Sequence, residues 1–172
     1  MTTVLEPMLE SMSGEITQEA ASTKRLLERV PGDKLGWKPH PRSMTIGQLA
    51  MHVATIPGAI SKLAQVDDFE VNPAGFDPPA PKSTEEILTA LDASIQSALE
   101  YLGGVSEPDA RGTWRATLKG REVMSMPRVA MLRALMLNHW YHHRGQLSVY
   151  LRLLEVPVPV IYGRSADENP FE

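Results

Sequence analysis

Apolar positions recur along this chain in steps of three and four, the spacing that puts them on one face of an α-helix. A first stripe, Leu5, Leu9, Met12, Ile16, Ala20, Thr23, Leu27 and Val30, predicts a helix from about Val4 to Val30, stopped by Pro31-Gly32-Asp33. A second, Leu49, His52, Val53, Ile56, Ile60 and Leu63, follows Thr45-Ile46-Gly47-Gln48. Thr and Gln at that spacing can satisfy exposed backbone N–H groups reciprocally. Pro57 lies inside this run and has no N–H for the Val53 carbonyl, so a kink or break is expected about one turn past His52. A third stripe, Ile87, Ala90, Leu91, Ile95, Ala98, Leu99 and Leu102, opens with a second capping box, Ser83-Thr84-Glu85-Glu86, and ends at Gly103-Gly104. Pro127 suits the first position of a fourth helix, which continues to about Leu154 and is closed off by Pro157 and Pro159.

The connections are read from their prolines and glycines. Leu35–Ser43, with Trp37, Pro39 and Pro41, should be extended. The stretch 67–82, with Pro73, Gly75, Pro78, Pro79 and Pro81, reads as a long loop of the kind that forms a mouth or lid. Residues 105–126 stay open: Thr113–Leu118 and Arg121–Met124 could pair around Lys119-Gly120, but Lys-Gly is a weaker turn signal than Asn-Gly. The tail to Glu172 reads as irregular. Four long amphipathic helices without alternating strands predict an all-α four-helix bundle, one domain over 1–172.

Composition narrows the partners. With 42% hydrophobic and 22% charged residues in 172, the chain suits a single folded core. No apolar run approaches the roughly 18 residues of a membrane span. Glu6, Glu10 and Glu15 without a Lys or Arg are the wrong charge for a secretory leader, so a cytoplasmic address is expected. A net charge of -4 with no basic cluster argues against nucleic acid as a partner. Cysteine is absent, so any thiol chemistry needs a thiol from outside the chain.

The candidate chemistry lies in the histidines. Three of the five fall in His139-Trp140-Tyr141-His142-His143. On a wheel of about 100° per residue, His139 and His143 stand within about 40° of each other, in the middle of a fourth stripe made by Leu132, Met136, Tyr150 and Leu154. Two imidazoles so placed, with Cβ atoms roughly 5–6 Å apart, can close on a single ion. His142 falls at the flank, beside the ligands or at an interface, and Trp140, Tyr141 and Arg144 point further out. His52 sits inside the second stripe, and metal sites in bundles are built by inward side chains of facing helices. Three neutral nitrogens suit zinc, nickel or a related divalent transition ion better than magnesium or calcium, and leave a coordination position open. Ordinary hydrogen-bonded core histidines are the competing reading. His40, between two prolines, reads as a loop residue. The HExxH helix, the Glu-x-x-His pairs of di-iron bundles, a phosphate loop and a nucleophile elbow are all missing.

The run Trp37-Lys38-Pro39-His40-Pro41-Arg42-Ser43-Met44, then Ile46-Gly47-Gln48-Leu49-Ala50-Met51-His52, and His139-x-x-His142-His143-Arg144-Gly145-Gln146-Leu147 with Val160-Ile161-Tyr162-Gly163, resembles the DinB-like (DinB/YfiT) superfamily. The resemblance implies a four-helix bundle, often a homodimer, with a metal held by His52, His139 and His143. It also implies a small-molecule substrate and, as in relatives that use bacillithiol or mycothiol, an external low-molecular-weight thiol. A metal-dependent thiol S-transferase, with the thiol activated as thiolate, is the leading expectation. Hydrolysis by an activated water is its variant, and a non-catalytic metal-binding or stress-response protein is its rival. Tyr141, His142, Arg144 and the 67–82 loop are the candidate contacts around the ligands.

Overall fold

The computed structural model describes residues 5–72 and 78–171. Pro73 and Gly75 of the expected loop, and the side chain of Leu5, lie outside the described residues. The first stripe folds as α1, Leu5–Leu27, burying Leu9, Met12, Ile16, Thr23 and Leu27 as the periodicity requires. The second folds as α2, Ile46–Leu63, and its N-terminal box is complete, with the Thr45 side chain accepting from Gln48 N and Gln48 Oε1 accepting from Thr45 N. Helix α3, Thr84–Gly104, begins with half of the box expected there. Ser83 accepts from Glu86 N, but the Glu86 carboxylate accepts from Lys82 N instead of returning to Ser83. Gly103 and Gly104 stay within α3, and Val105 is its cap.

The all-α expectation is corrected here: the chain is mostly helical with a small three-stranded sheet. Within the stretch expected to be loop, Asp68–Glu70 forms β1. After a short helix α4, Glu107–Arg111, the hairpin left open by sequence is present as β2, Thr113–Leu118, and β3, Arg121–Pro127. Lys119 and Gly120, at φ 53 and 72, both take the left-handed conformation that a tight hairpin turn demands. Strand β2 is central, antiparallel to β3 and parallel to β1, with Phe69 opposite Ala116. Its Trp114 and Ala116 point into the core while Thr113 and Arg115 face out, the alternation a half-buried strand needs. Pro127 ends β3 and caps the following helix, one residue later than its expected helical role.

The last helix, α5, crosses 128–153 in three parts. Arg128–Met131 is α-helical, Leu132–Asn138 is π-helical, and His139–Leu153 is α-helical again. A wheel drawn at constant angle does not survive a π segment, where the backbone bonds run i to i+5. Beyond it the buried line of α5 is Trp140, Arg144, Leu147 and Leu151, with His139 and His143 at its edge. Trp140 and Arg144, read from sequence as pointing outward, are therefore core residues. The tail is irregular as expected and is tied back by Arg29 to Glu168 at 2.7 Å and by Arg25 to the Val160 carbonyl at 3.1 Å.

Helix α2 packs between α3 and α5, and three side chains satisfy backbone oxygens along or beyond it. Pro57 lacks the N–H that the Val53 carbonyl would otherwise receive. The indole of Trp140, fully buried, donates to that carbonyl at 2.9 Å. At the helix end, Trp114 Nε1 donates to the Leu63 carbonyl at 3.1 Å, and the Tyr101 hydroxyl to the Ala64 carbonyl at 3.1 Å. Next to Pro57, Gly58 N donates to Ser94 Oγ at 2.8 Å, and a Cβ at Gly58 would stand 2.9 Å from Ser94 Cα, so only glycine lets α3 come this close. Leaving a buried carbonyl without a partner costs about 1–3 kcal/mol. Trp140→Phe is accordingly expected to lower stability by about that amount plus a small packing loss. The hydrogen-bond part of the loss should shrink when Pro57→Ala restores a donor to Val53, measured as a double-mutant cycle by urea denaturation.

Candidate metal centre

His52 leaves α2 one residue before Val53, and His139 leaves α5 one residue before Trp140. The Trp140–Val53 hydrogen bond therefore fixes these two histidines opposite each other across the α2/α5 contact. His143, one turn further along α5, completes the group. Ring centroids lie 5.2 Å apart for His52 and His139, 4.5 Å for His52 and His143, and 4.5 Å for His139 and His143. One nitrogen from each ring lies within 4.8 Å of the other two, so the three can hold a metal ion. All three are half-buried.

The His143 ring has a fixed partner behind it. Gln146 Oε1 is 2.7 Å from His143 Nδ1, and an amide oxygen only accepts, so the proton sits on Nδ1. The Leu135 carbonyl beside the His139 ring lifts its pKa. The two Nε2 atoms face each other at 2.8 Å, a distance at which an Nε2–H of His139 donates to the Nε2 lone pair of His143. A metal ion that replaces this shared proton needs the nitrogens only about half an ångström further apart, at the roughly 3.3 Å of a tetrahedral zinc with bonds of about 2.0–2.1 Å. Burial pulls the His52 imidazole down from 6.5 to about 4, with His143 and His139 adding repulsion. Burial also lowers His139, against the lift from Leu135, and lowers His143, against the lift from Gln146. Neutral imidazole is the form that binds metal.

The remaining candidates are placed apart from this point. His142 is exposed, its ring 4.8 Å from that of His143, and it is outside the converging trio. The Tyr141 hydroxyl is 2.8 Å from Glu15 Oε1, and burial followed by that carboxylate raises its pKa. Arg144 is 2% exposed and forms an ion pair with Glu19 at 2.6 Å, with further bonds to Thr23 and Tyr162. Its guanidinium lies 5.1 Å from both the Tyr141 and Tyr162 ring centroids. This charged cluster knits α1, α5 and the tail together. His40 is a loop residue whose Nδ1 accepts from Arg42 N.

Two features of the site escaped sequence reasoning. Gln146 was visible only as part of a motif, although its position three residues after His143 is hydrogen-bonding distance on a helix. The second is a cavity of about 470 Å³ that begins at His52 and His139 and runs along α2.

A family model described as DinB family matches residues 2–170. An uncharacterized protein of Bacillus subtilis, YrdA, is 27% identical over 150 residues, 87% of this chain and 85% of that protein. A DinB-like protein from Bacillus cereus superposes with a TM-score of 0.64 at 28% identity, over 85% of this chain and 92% of that one. A second DinB-like protein, YjoA of Bacillus subtilis, reaches 0.66 at 17% identity over 90% and 99%, a likeness of fold. No described helix is long and apolar enough to cross a membrane.

Two outcomes follow for the histidines. Gln146→Leu is expected to weaken metal binding about ten- to hundredfold by freeing the His143 ring, read by competition with a chromogenic chelator. In the metal-free protein, the unfolded chain takes up a proton on His52 near pH 6.5 that the folded chain refuses until about pH 4. Unfolding then binds more protons than folding, so stability falls as pH drops through that window. His52→Gln should flatten the decline in denaturant midpoint.

Proposed function

Since this chain belongs to the DinB family, we propose that it is a metal-dependent enzyme of the thiol S-transferase type, its divalent ion held by His52, His139 and His143 within a four-helix bundle. The observation that carries this reading is the convergence of one ring nitrogen from each of His52, His139 and His143 within 4.8 Å of the others. Neutral nitrogen donors favour zinc or nickel over the oxygen-seeking ions. Such an ion supplies Lewis acidity, which lowers the pKa of a thiol or water presented to it.

The chain's own residues do the rest. Gln146 keeps the ligating nitrogen of His143 turned inward, and burial favours the neutral form of all three imidazoles. The apolar cavity beside them is where a small-molecule substrate is held away from water. With no cysteine in the sequence, the thiol is an external low-molecular-weight one. A hydrolase using water in place of the thiol is the close variant. A non-catalytic metal-binding protein is the rival, and it would call for a fourth protein ligand over the ion. The converging group has three members among the described residues, which favours catalysis. A homodimer in the cytoplasm is part of the same proposal.

Elemental analysis of untagged protein purified with metal supplied should find stoichiometric zinc or nickel, and His52→Ala should lose it. The loaded wild type should accelerate conjugation of a small thiol to a chromogenic aryl halide, and the variant should not. Metal that persists undiminished in His52→Ala, or a metal-replete wild type that holds none, ends the proposal.

A further inference from the structure

The cavity that starts at the histidines is elongated and one-sided in its chemistry. Its floor is a single face of α2, and among the described residues its walls are Ile56, Ile60, Leu63, Phe69, Pro78 and Pro79, with Asn72 as a polar member. The Thr55 hydroxyl on this face is already used, donating to the Met51 carbonyl at 2.8 Å. Among the described residues that line it, Lys62 is the one formally charged side chain, and no carboxylate is present. Lys62 is exposed, and it has no ion-pair partner among the described residues. His52 and Lys62 sit ten residues apart on α2, about 15 Å along the helix axis at 1.5 Å per residue. Among the described residues the groove thus has a histidine end, a mostly apolar middle and a cationic far end, on a protein whose net charge is negative.

We infer that this groove takes an elongated substrate with a metal-seeking head at the histidines, a largely apolar body, and an anionic group at Lys62. The inference rests on the metal-thiol reading above only for the identity of the head. Burying methylene groups against Ile60, Leu63 and Phe69 provides the affinity, and each buried methylene contributes about threefold to fourfold. The lysine selects the anion: a neutral end of equal length leaves its charge unused, and a cationic end is repelled.

The test uses the full-length protein loaded with cobalt(II), titrated with mercaptopropionate, mercaptooctanoate, mercaptoundecanoate and the uncharged mercaptoundecanol. Thiolate-to-cobalt absorption reports the head group, and calorimetry of undecanoate on the metal-free protein reports the groove alone. Affinity should climb with chain length by about threefold per added methylene until the groove is filled. The long acid should bind about fivefold to tenfold more tightly than the long alcohol, an advantage that Lys62→Gln removes. Ala59 is exposed and lines the groove, so Ala59→Trp should fill it and erase the dependence on chain length. Both variants should keep the melting temperature and the cobalt absorption of the ligand-free protein. Thiolate absorption that ignores chain length and Lys62 overturns the groove inference and leaves the thiol reading standing. Undecanoate binding that Ala59→Trp abolishes, without thiolate absorption for any thiol, does the reverse. If neither signal appears, both readings fall.

Discussion

The hydrogen bond from the Trp140 indole to the Val53 carbonyl is the interaction on which the site depends. It exists because a proline four residues after Val53 leaves that oxygen without its helical donor, and a buried oxygen must find another. An indole is the donor chosen, and its bulk places α5 at a set height and rotation against α2. His52 and His139 are each the preceding neighbour of one partner in that bond, so their meeting follows from it. A proline inside a helix ordinarily costs about 3 kcal/mol. Here much of that cost is offset, and the defect becomes the pin that holds two helices in register.

Charge is sorted around this pin. The ion pair of Arg144 with Glu19 is buried on the side of α5 that faces α1, bracketed by Tyr141 and Tyr162. Removing one partner from such a pair is costly, which keeps the tail and α1 fixed to α5. The other side of α5 presents His139 and His143, and among the described residues the groove beyond them is mostly apolar, with Thr55, Asn72 and Lys62 as its polar members. A cation brought between the imidazoles therefore meets lone pairs without a competing carboxylate among the described residues of that group. The same helix anchors the fold with one face and offers a ligand set with the next.

Legibility in the sequence differed from element to element. Helices α1, α2 and α3 declared themselves because each buries one face over many turns, and a long period averages out single exceptions. Strand β1 has three residues, too few for any alternation to register, and it exists only because β2 is there to accept it. The hairpin was marked by a Lys-Gly pair whose first residue must take a left-handed conformation that lysine adopts reluctantly, so its signal was weak. Gln146 carried no signal by itself, since a glutamine near a histidine becomes a positioning group only when the ring turns toward it.

What the sequence by itself determined is the set of long helices and the pairing of His139 with His143. Amphipathic spacing is local, and His139 and His143, four residues apart, meet on any α-helix. The rotation of α5 was decided only in the folded state. The π segment Leu132–Asn138 re-phases the helix, moves the buried line onto Trp140 and Arg144, and leaves the histidines at its edge, facing a groove rather than sealed in the core. Backbone bonding of that kind is selected by packing against α2 and the sheet, contacts between residues far apart in the chain, and no local pattern records them.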